Sequence, residues 1–131
     1  LDDAKRPVGE WVKAGYAPCL AQKTSWNSEQ IIFKVPGSIE RREVLDYFNH
    51  INKTEGDPEI TGLRHPFRLA GFRNMKPKHE RGGQHPFVTL ERVVNTFCEK
   101  TVEAIKTLRL RKEAERSGAA PSPTGGLGKR Q

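Results

Sequence analysis

An α+β fold, with a small antiparallel or mixed sheet packed by two main helices, is predicted by three features of this 131-residue chain. Two short apolar runs flank a polar turn, two longer stretches carry apolar residues at helical spacing, and the sequence between them is charged and rich in Gly and Pro. Hydrophobic residues make up 34% and charged residues 30%, so the core is modest. Its apolar residues are nevertheless grouped, unlike those of a disordered chain.

Each element has its own justification. From Lys5 to Ala14, Val8, Trp11 and Val12 recur at roughly helical spacing, Pro7 suits a first turn and Gly15 a stop, which predicts a short helix. Ala17 to Ala21 and Gln30 to Val35 read as strands joined through the turn Ser25-Trp26-Asn27-Ser28, an antiparallel hairpin. Pro36-Gly37 closes the second strand. Ser38 then serves as an N-cap for a helix whose apolar face is Ile39, Val44, Leu45, Phe48 and Ile51, ending near Lys53.

Thr54 to His85 is too long for a mere connection, and long irregular segments in compact domains are often functional. Thr89 is read as the N-cap of a second long helix, with Leu90, Val94, Phe97, Cys98, Val102, Ile105 and Leu108 as its stripe. Its continuation, Arg109 to Arg116, is mostly charged. Residues 117–131 hold Gly, Ala, Pro and Ser with nothing to bury and are expected to be a disordered linker or tail, leaving 1–116 as the folded unit. Cys19 and Cys98 lack CxxC partners, so both are expected to be ordinary buried thiols.

The net charge of +7 is local rather than spread. The first 57 residues are close to balance, whereas Arg64, Arg68, Arg73, Lys76, Lys78 and Arg81 stand against Glu80 alone, with His65 and His79 beside them. Cations interleaved with Phe67 and Phe72 suit a nucleic-acid contact, because cations release counterions from phosphate and rings stack on bases. No run of about 18 apolar residues exists, so no spanning helix is expected, and Leu1-Asp2-Asp3 does not begin a secretory signal. A soluble, cytoplasmic protein with no membrane partner is the expectation. Walker, GxSxG, HExxH and dinucleotide signatures are absent, which sets those enzyme classes aside. Asp2, Asp3 and Asp57 remain as acids that a hard cation could share, although Asp2-Asp3 could equally cap a helix and Asp57-Pro58 open a turn.

The order Leu1-Asp2-Asp3, Gly15-Tyr16-Ala17-Pro18, Thr24-Ser25-Trp26-Asn27 with Gln30, Val35-Pro36-Gly37, Gly56-Asp57-Pro58 and His65-Pro66-Phe67-Arg68-Leu69-Ala70-Gly71-Phe72-Arg73-Asn74-Met75-Lys76-Pro77-Lys78 resembles the RepB-like plasmid primases. They are a branch of the archaeo-eukaryotic primase superfamily. Such domains also occur fused to mobilisation relaxases. The resemblance implies the C-terminal part of a primase-like, RRM-like catalytic fold within a longer replication or mobilisation protein, and it spans about residues 1 to 90.

By position, the resemblance assigns catalysis to Asp57 and Asp3, and Mg²⁺ or Mn²⁺ to Asp2, Asp3 and Asp57. It gives nucleotide phosphate to Thr24, Ser25, Gln30, Arg68 and Arg73, and DNA to Lys76, Lys78, Arg64 and Arg81. Guanidinium offers bidentate donors, so Arg68 and Arg73 are expected to hold phosphate geometrically while Lys76 and Lys78 steer. The chain departs from the superfamily pattern in having adjacent rather than alternating acids, in Gln30 where many members use His, and in Ala70 where Pro is more frequent. The implied function is a metal-dependent primase, a nucleotidyltransferase acting on single-stranded DNA with nucleoside triphosphates. Two other classes fit the residues: a non-catalytic single-stranded DNA-binding module, and an adaptor whose apolar helix stripe binds another protein.

Overall fold

The computed structural model describes residues 1–60 and 66–118. Short polar turns bring short strands together first. Strand β1 (Leu20–Lys23) pairs antiparallel with β2 (Glu29–Ile32), Leu20 opposite Ile32 and Lys23 opposite Glu29. The Thr24 N–H closes the turn on the Ser28 carbonyl at 2.9 Å. A third strand, β3 (Thr89–Val93), lies antiparallel on the other side of β1, giving the order β2-β1-β3 with a register shift between Ala21 and Gln22.

Because side chains alternate along a strand, this register sorts the sheet into two faces. Ala21 and Ile31 are partners and fully buried against the main core, with Leu1, Trp11, Phe33 and Cys98. Gln22 and Gln30 are partners on the opposite face and turn toward the irregular segment that precedes β3.

Helix α1 (Val8–Lys13) closes the core with Trp11, whose ring meets Tyr16 edge-on at 5.0 Å and Phe33 at 5.3 Å. Helix α2 (Arg41–Glu55) and helix α3 (Glu99–Arg116) build a second cluster around Tyr47, Ile105 and Leu108. Ion pairs at its rim, Arg109 with Glu43 and Lys112 with Asp46, are solvent-facing and 3.7 and 3.6 Å long. Pairs of that kind contribute little, so apolar packing is what joins the helices.

The predicted α+β architecture and hairpin are present, and four local expectations are corrected. Thr89 to Val93 is a strand, and α3 starts only at Glu99. The spacing of Leu90, Val94 and Phe97 imitates a helix, yet these side chains are 52%, 41% and 46% exposed. They are no core stripe; the open edge of β1 takes the segment as a strand because it offers unpaired backbone groups. The first strand begins at Leu20 rather than Ala17, since Pro18 cannot donate to a ladder. Helix α2 begins past Ser38, with Glu40 at its N-cap, because the Ile39 N–H is already taken by the Pro36 carbonyl in a preceding turn. Cys98 is buried as expected, accepting from the Ala17 N–H and the Thr101 hydroxyl, but Cys19 is only half-buried. The tail expected from Ser117 falls, from residue 119 onward, outside the described residues.

Ile105 is 1% exposed at the α2–α3 contact. Replacing Ile105 by Ala should cost about 2–5 kcal/mol, as large-to-small core changes do, read as a lowered urea midpoint at unchanged slope. A loss below about 0.5 kcal/mol would contradict this packing.

Candidate functional site

The first residues extend the sheet beyond β2. The Leu1 nitrogen donates to the Ile31 carbonyl at 2.6 Å, the Ile31 N–H returns to the Leu1 carbonyl at 2.9 Å, and the Ala4 N–H reaches Glu29 at 3.0 Å. Leu1 faces the core, so Asp2 comes out on the opposite face beside Gln30. A hydrogen-bonded row results. Gln30 Nε2 donates to Asp2 Oδ1 at 3.1 Å, Gln22 Nε2 donates to Gln30 Oε1 at 2.8 Å, and Gln22 Nε2 also reaches the Arg68 carbonyl at 2.7 Å. The Arg68 N–H completes it by donating to Gln30 Oε1 at 3.3 Å. Two buried amides therefore tie the acid at one sheet edge to the start of the basic segment.

The rest of that segment is fastened by polar contacts. Asn74, buried, donates through Nδ2 to the Thr24 carbonyl at 2.6 Å and accepts the Lys76 N–H on Oδ1 at 3.3 Å. Trp26 Nε1 donates to the His79 carbonyl at 2.6 Å, and the Arg81 guanidinium lies 4.8 Å over the Trp26 ring. Arg81 and Gln84 close a tight hairpin through Gly82 and Gly83, whose φ angles of 58° and 80° a residue with a side chain adopts poorly. Residues 71–74 and 86–88 form a ribbon: the Gly71 N–H bonds Val88, the Val88 N–H bonds Phe72, and the Asn74 N–H bonds Pro86.

The second acid arrives from the end of α2. The Asp57 N–H donates to the Asp2 carbonyl at 2.9 Å, which sets the two acidic residues side by side. Gly56 permits this approach, because a Cβ there would stand 2.7 Å from Asn52 Oδ1, 3.0 Å from the Asp2 carbonyl and 3.1 Å from Leu1 Cδ2. Asp57 Oδ1 accepts the Glu59 N–H at 2.9 Å, so it also opens a turn. Asp3 has a left-handed backbone, φ 48°, which lets it face a different way from Asp2. Its charge acts on His79 together with those of Arg68, Lys76 and Lys78. Asp2 and the start of the basic loop thus share one side of the sheet.

His79 records that arrangement electrostatically. Desolvation first, then Lys78, Lys76 and Arg68, hold its imidazole below the usual 6.5, while Asp3 pulls the other way. Since the folded value is depressed, the unfolded chain binds the proton first, and any stability tied to the neutral ring is lost as pH falls through the folded value.

Of the other residues singled out from the sequence, Thr24 spends its hydroxyl on the Ser28 carbonyl at 3.4 Å and its own carbonyl on Asn74, and Ser25 is buried in the same turn. Arg73 Nη1 donates to the His85 carbonyl at 2.7 Å, and its guanidinium lies 4.1 Å over Phe87. Lys76 and Lys78 are exposed, Arg68 is half-buried, and Arg64 lies outside the described residues. Among the described residues no group of three or more His, Cys, Asp or Glu is placed to hold a metal ion. Asp2 and Asp57 are joined through the backbone and carry oxygen donors of the kind Mg²⁺ takes. Gln22, Asn74 and Phe87 were missed from the sequence. The one available signal was the Gln22–Gln30 spacing, which a hairpin through Ser25-Trp26-Asn27-Ser28 converts into a cross-strand pair.

A model of the RepB DNA-primase N-terminal domain matches residues 1–116. A DNA primase from Acidithiobacillus ferrooxidans is 33% identical over 107 residues, an alignment covering 78% of this chain and 30% of that protein. The crystal structure of primase RepB' shares the fold at a TM-score of 0.72 and 20% identity, covering 100% of this chain and 46% of that one. The chain therefore spans less than half the length of either relative. No helix among the described residues is long and apolar enough to cross a membrane.

Two measurements test this geometry. Replacing Gly56 by Ala should cost about 1–3 kcal/mol through overpacking against Asn52 and the Asp2 carbonyl, seen as a lowered melting temperature. An unchanged midpoint would contradict the close approach. In a proton NMR titration, replacing Lys76 and Lys78 together by Ala should raise the His79 pKa toward its ordinary value; no movement would mean those cations do not act on the ring.

Proposed function

The chain belongs to the RepB DNA-primase N-terminal domain family, and on that premise we propose that its polar sheet face seats nucleotide and single-stranded DNA for primer synthesis. The observation that carries this reading is the row from Asp2 through Gln30 and Gln22 to Arg68, which joins an acid-bearing strand to a cationic loop. A nucleotidyl transfer needs both. Carboxylates hold divalent metal and cations hold phosphate, while the 3′-oxygen of one nucleotide displaces pyrophosphate from the next.

Mg²⁺ or Mn²⁺ fits Asp2 and Asp57, with Asp3 nearby, and when bound it activates the attacking oxygen and offsets charge on the pyrophosphate. The chain's own residues do the rest. Gln30 orients the Asp2 carboxylate, and the Asp57 N–H fixes the Asp2 backbone. Arg68 and Arg73 bind phosphate oxygens, and exposed Lys76 and Lys78 with Arg81 attract the DNA backbone. Thr24 and Ser25 shape the turn beneath the loop. Replication or conjugative mobilisation by a longer plasmid protein is the setting this activity suits.

In the full-length parent, Asp57→Asn should lower primer synthesis at least 100-fold while leaving single-stranded DNA affinity within about twofold, since a metal-holding carboxylate makes no backbone contact. Replacing Lys76 and Lys78 together by Ala should weaken DNA binding and flatten its salt dependence by about 1.4 in slope. Primer synthesis at the parent rate in Asp57→Asn, with the lysine effect intact, would make the chain a non-catalytic DNA-binding module.

A further inference from the structure

The ribbon formed by residues 71–74 and 86–88 has two unlike faces. Arg73 and Phe87 are directly opposed across it, and alternation puts Asn74, Pro86 and Val88 on the other side, where all three are buried. Arg73 and Phe87 consequently point away from the sheet. Phe87 stays 50% exposed, and Met75, two residues along from Arg73, is 62% exposed. A half-exposed ring opposite a cationic side chain is not serving the core, whose two clusters do not include it.

The pair is also organised in advance. The guanidinium sits 4.1 Å from the Phe87 ring centroid, and its Nη1 is anchored to the His85 carbonyl at 2.7 Å. A guanidinium restrained in this way offers a flat face for stacking while its remaining N–H groups are left to donate to oxygen acceptors of a ligand. The hairpin through Gly82 and Gly83 and the Asn74 fastener hold both strands of the ribbon, so little ordering is left to the moment of binding.

We propose that the Arg73–Phe87 pair is a stacking platform for an unpaired nucleobase, so that the loop grips single-stranded nucleic acid by its bases as well as by its phosphates. This rests on the nucleic-acid reading above and extends it to a part of the ligand that charge does not recognise. Every base presents a π-face, so the platform tolerates any sequence. It distinguishes unpaired from paired strands, because a base inside a duplex is already stacked.

The test uses the full chain, a short oligothymidine, and an abasic sugar-phosphate strand of the same length and charge. Phe87→Leu keeps apolar bulk and removes the ring; Arg73→Lys keeps the charge and removes the plane. Each should weaken oligothymidine binding about 5- to 150-fold, the range for losing one stacked base, with the salt slope unchanged. The parent should bind the abasic strand more weakly by a similar factor, and the two variants should barely tell the strands apart. Phe87→Trp should bind at least as tightly as the parent. If Phe87→Leu and Arg73→Lys, folded by circular dichroism, bind both strands as the parent does, the platform is wrong. The lysine-dependent salt slope would then still stand for the phosphate contact, so the two readings fail separately.

Discussion

Two buried amides, Gln22 and Gln30, are the constraint on which the arrangement of the polar face depends. The Asp2 carboxylate can only accept, so Gln30 must present Nε2 to it and leave Oε1 free to receive Gln22 and the Arg68 N–H. Gln22 in turn has both its neighbours as acceptors. One ionised group therefore sets the polarity of the whole row. Strand register matters for the same reason: a slip of one residue would drive the shifted strand's amide into the core and turn its buried neighbour, Ala21 or Ile31, outward. The alternation that builds the core is what builds the site.

The basic loop could not hold itself in place by hydrophobic burial. Its large apolar side chains, Leu69, Phe72 and Met75, are exposed, and its cations repel one another. What holds it is a set of side-chain donors aimed at main-chain carbonyls: Gln22 to Arg68, Asn74 to Thr24 and Trp26 to His79. Two of these three carbonyls lie on the loop itself, so at those points its path is fixed without using Arg68, Lys76 or Lys78. Arg68, Lys76 and Lys78 consequently need no internal partner to stay in position.

How far the sequence could be read follows from which interactions are local. The hairpin and α2 were legible because a turn and an apolar period are contained in a few consecutive residues. Strand β3 was not, since Leu90, Val94 and Phe97 fit a helical period and only the distant edge of β1 decides otherwise. The acids and the basic run stood out by charge alone. Asn74 and Gln22 did not, because an uncharged amide gains its role only from the backbone carbonyl that folding places before it. Phe87 was hidden for a related reason: its partner Arg73 is 14 residues away in the chain, and the His85 carbonyl that anchors Arg73 is 12 residues from it.

Asp2 is held at three points, by Gln30 at its side chain, by the Leu1 and Ala4 ladder on β2, and by the Asp57 N–H at its carbonyl. Such restraint fixes where negative charge lies before any ligand arrives, which lowers the cost of ordering on binding. It also limits what the acid can do alone. A carboxylate oxygen already accepting from Gln30 and from the Asp3 N–H has fewer lone pairs to give a cation. Under the function proposed above, cation affinity would then draw on the phosphates of a nucleotide held by the basic loop. In that reading acid strand and basic loop act on one ligand together, with the amide row fixing the spacing between Asp2 and Arg68.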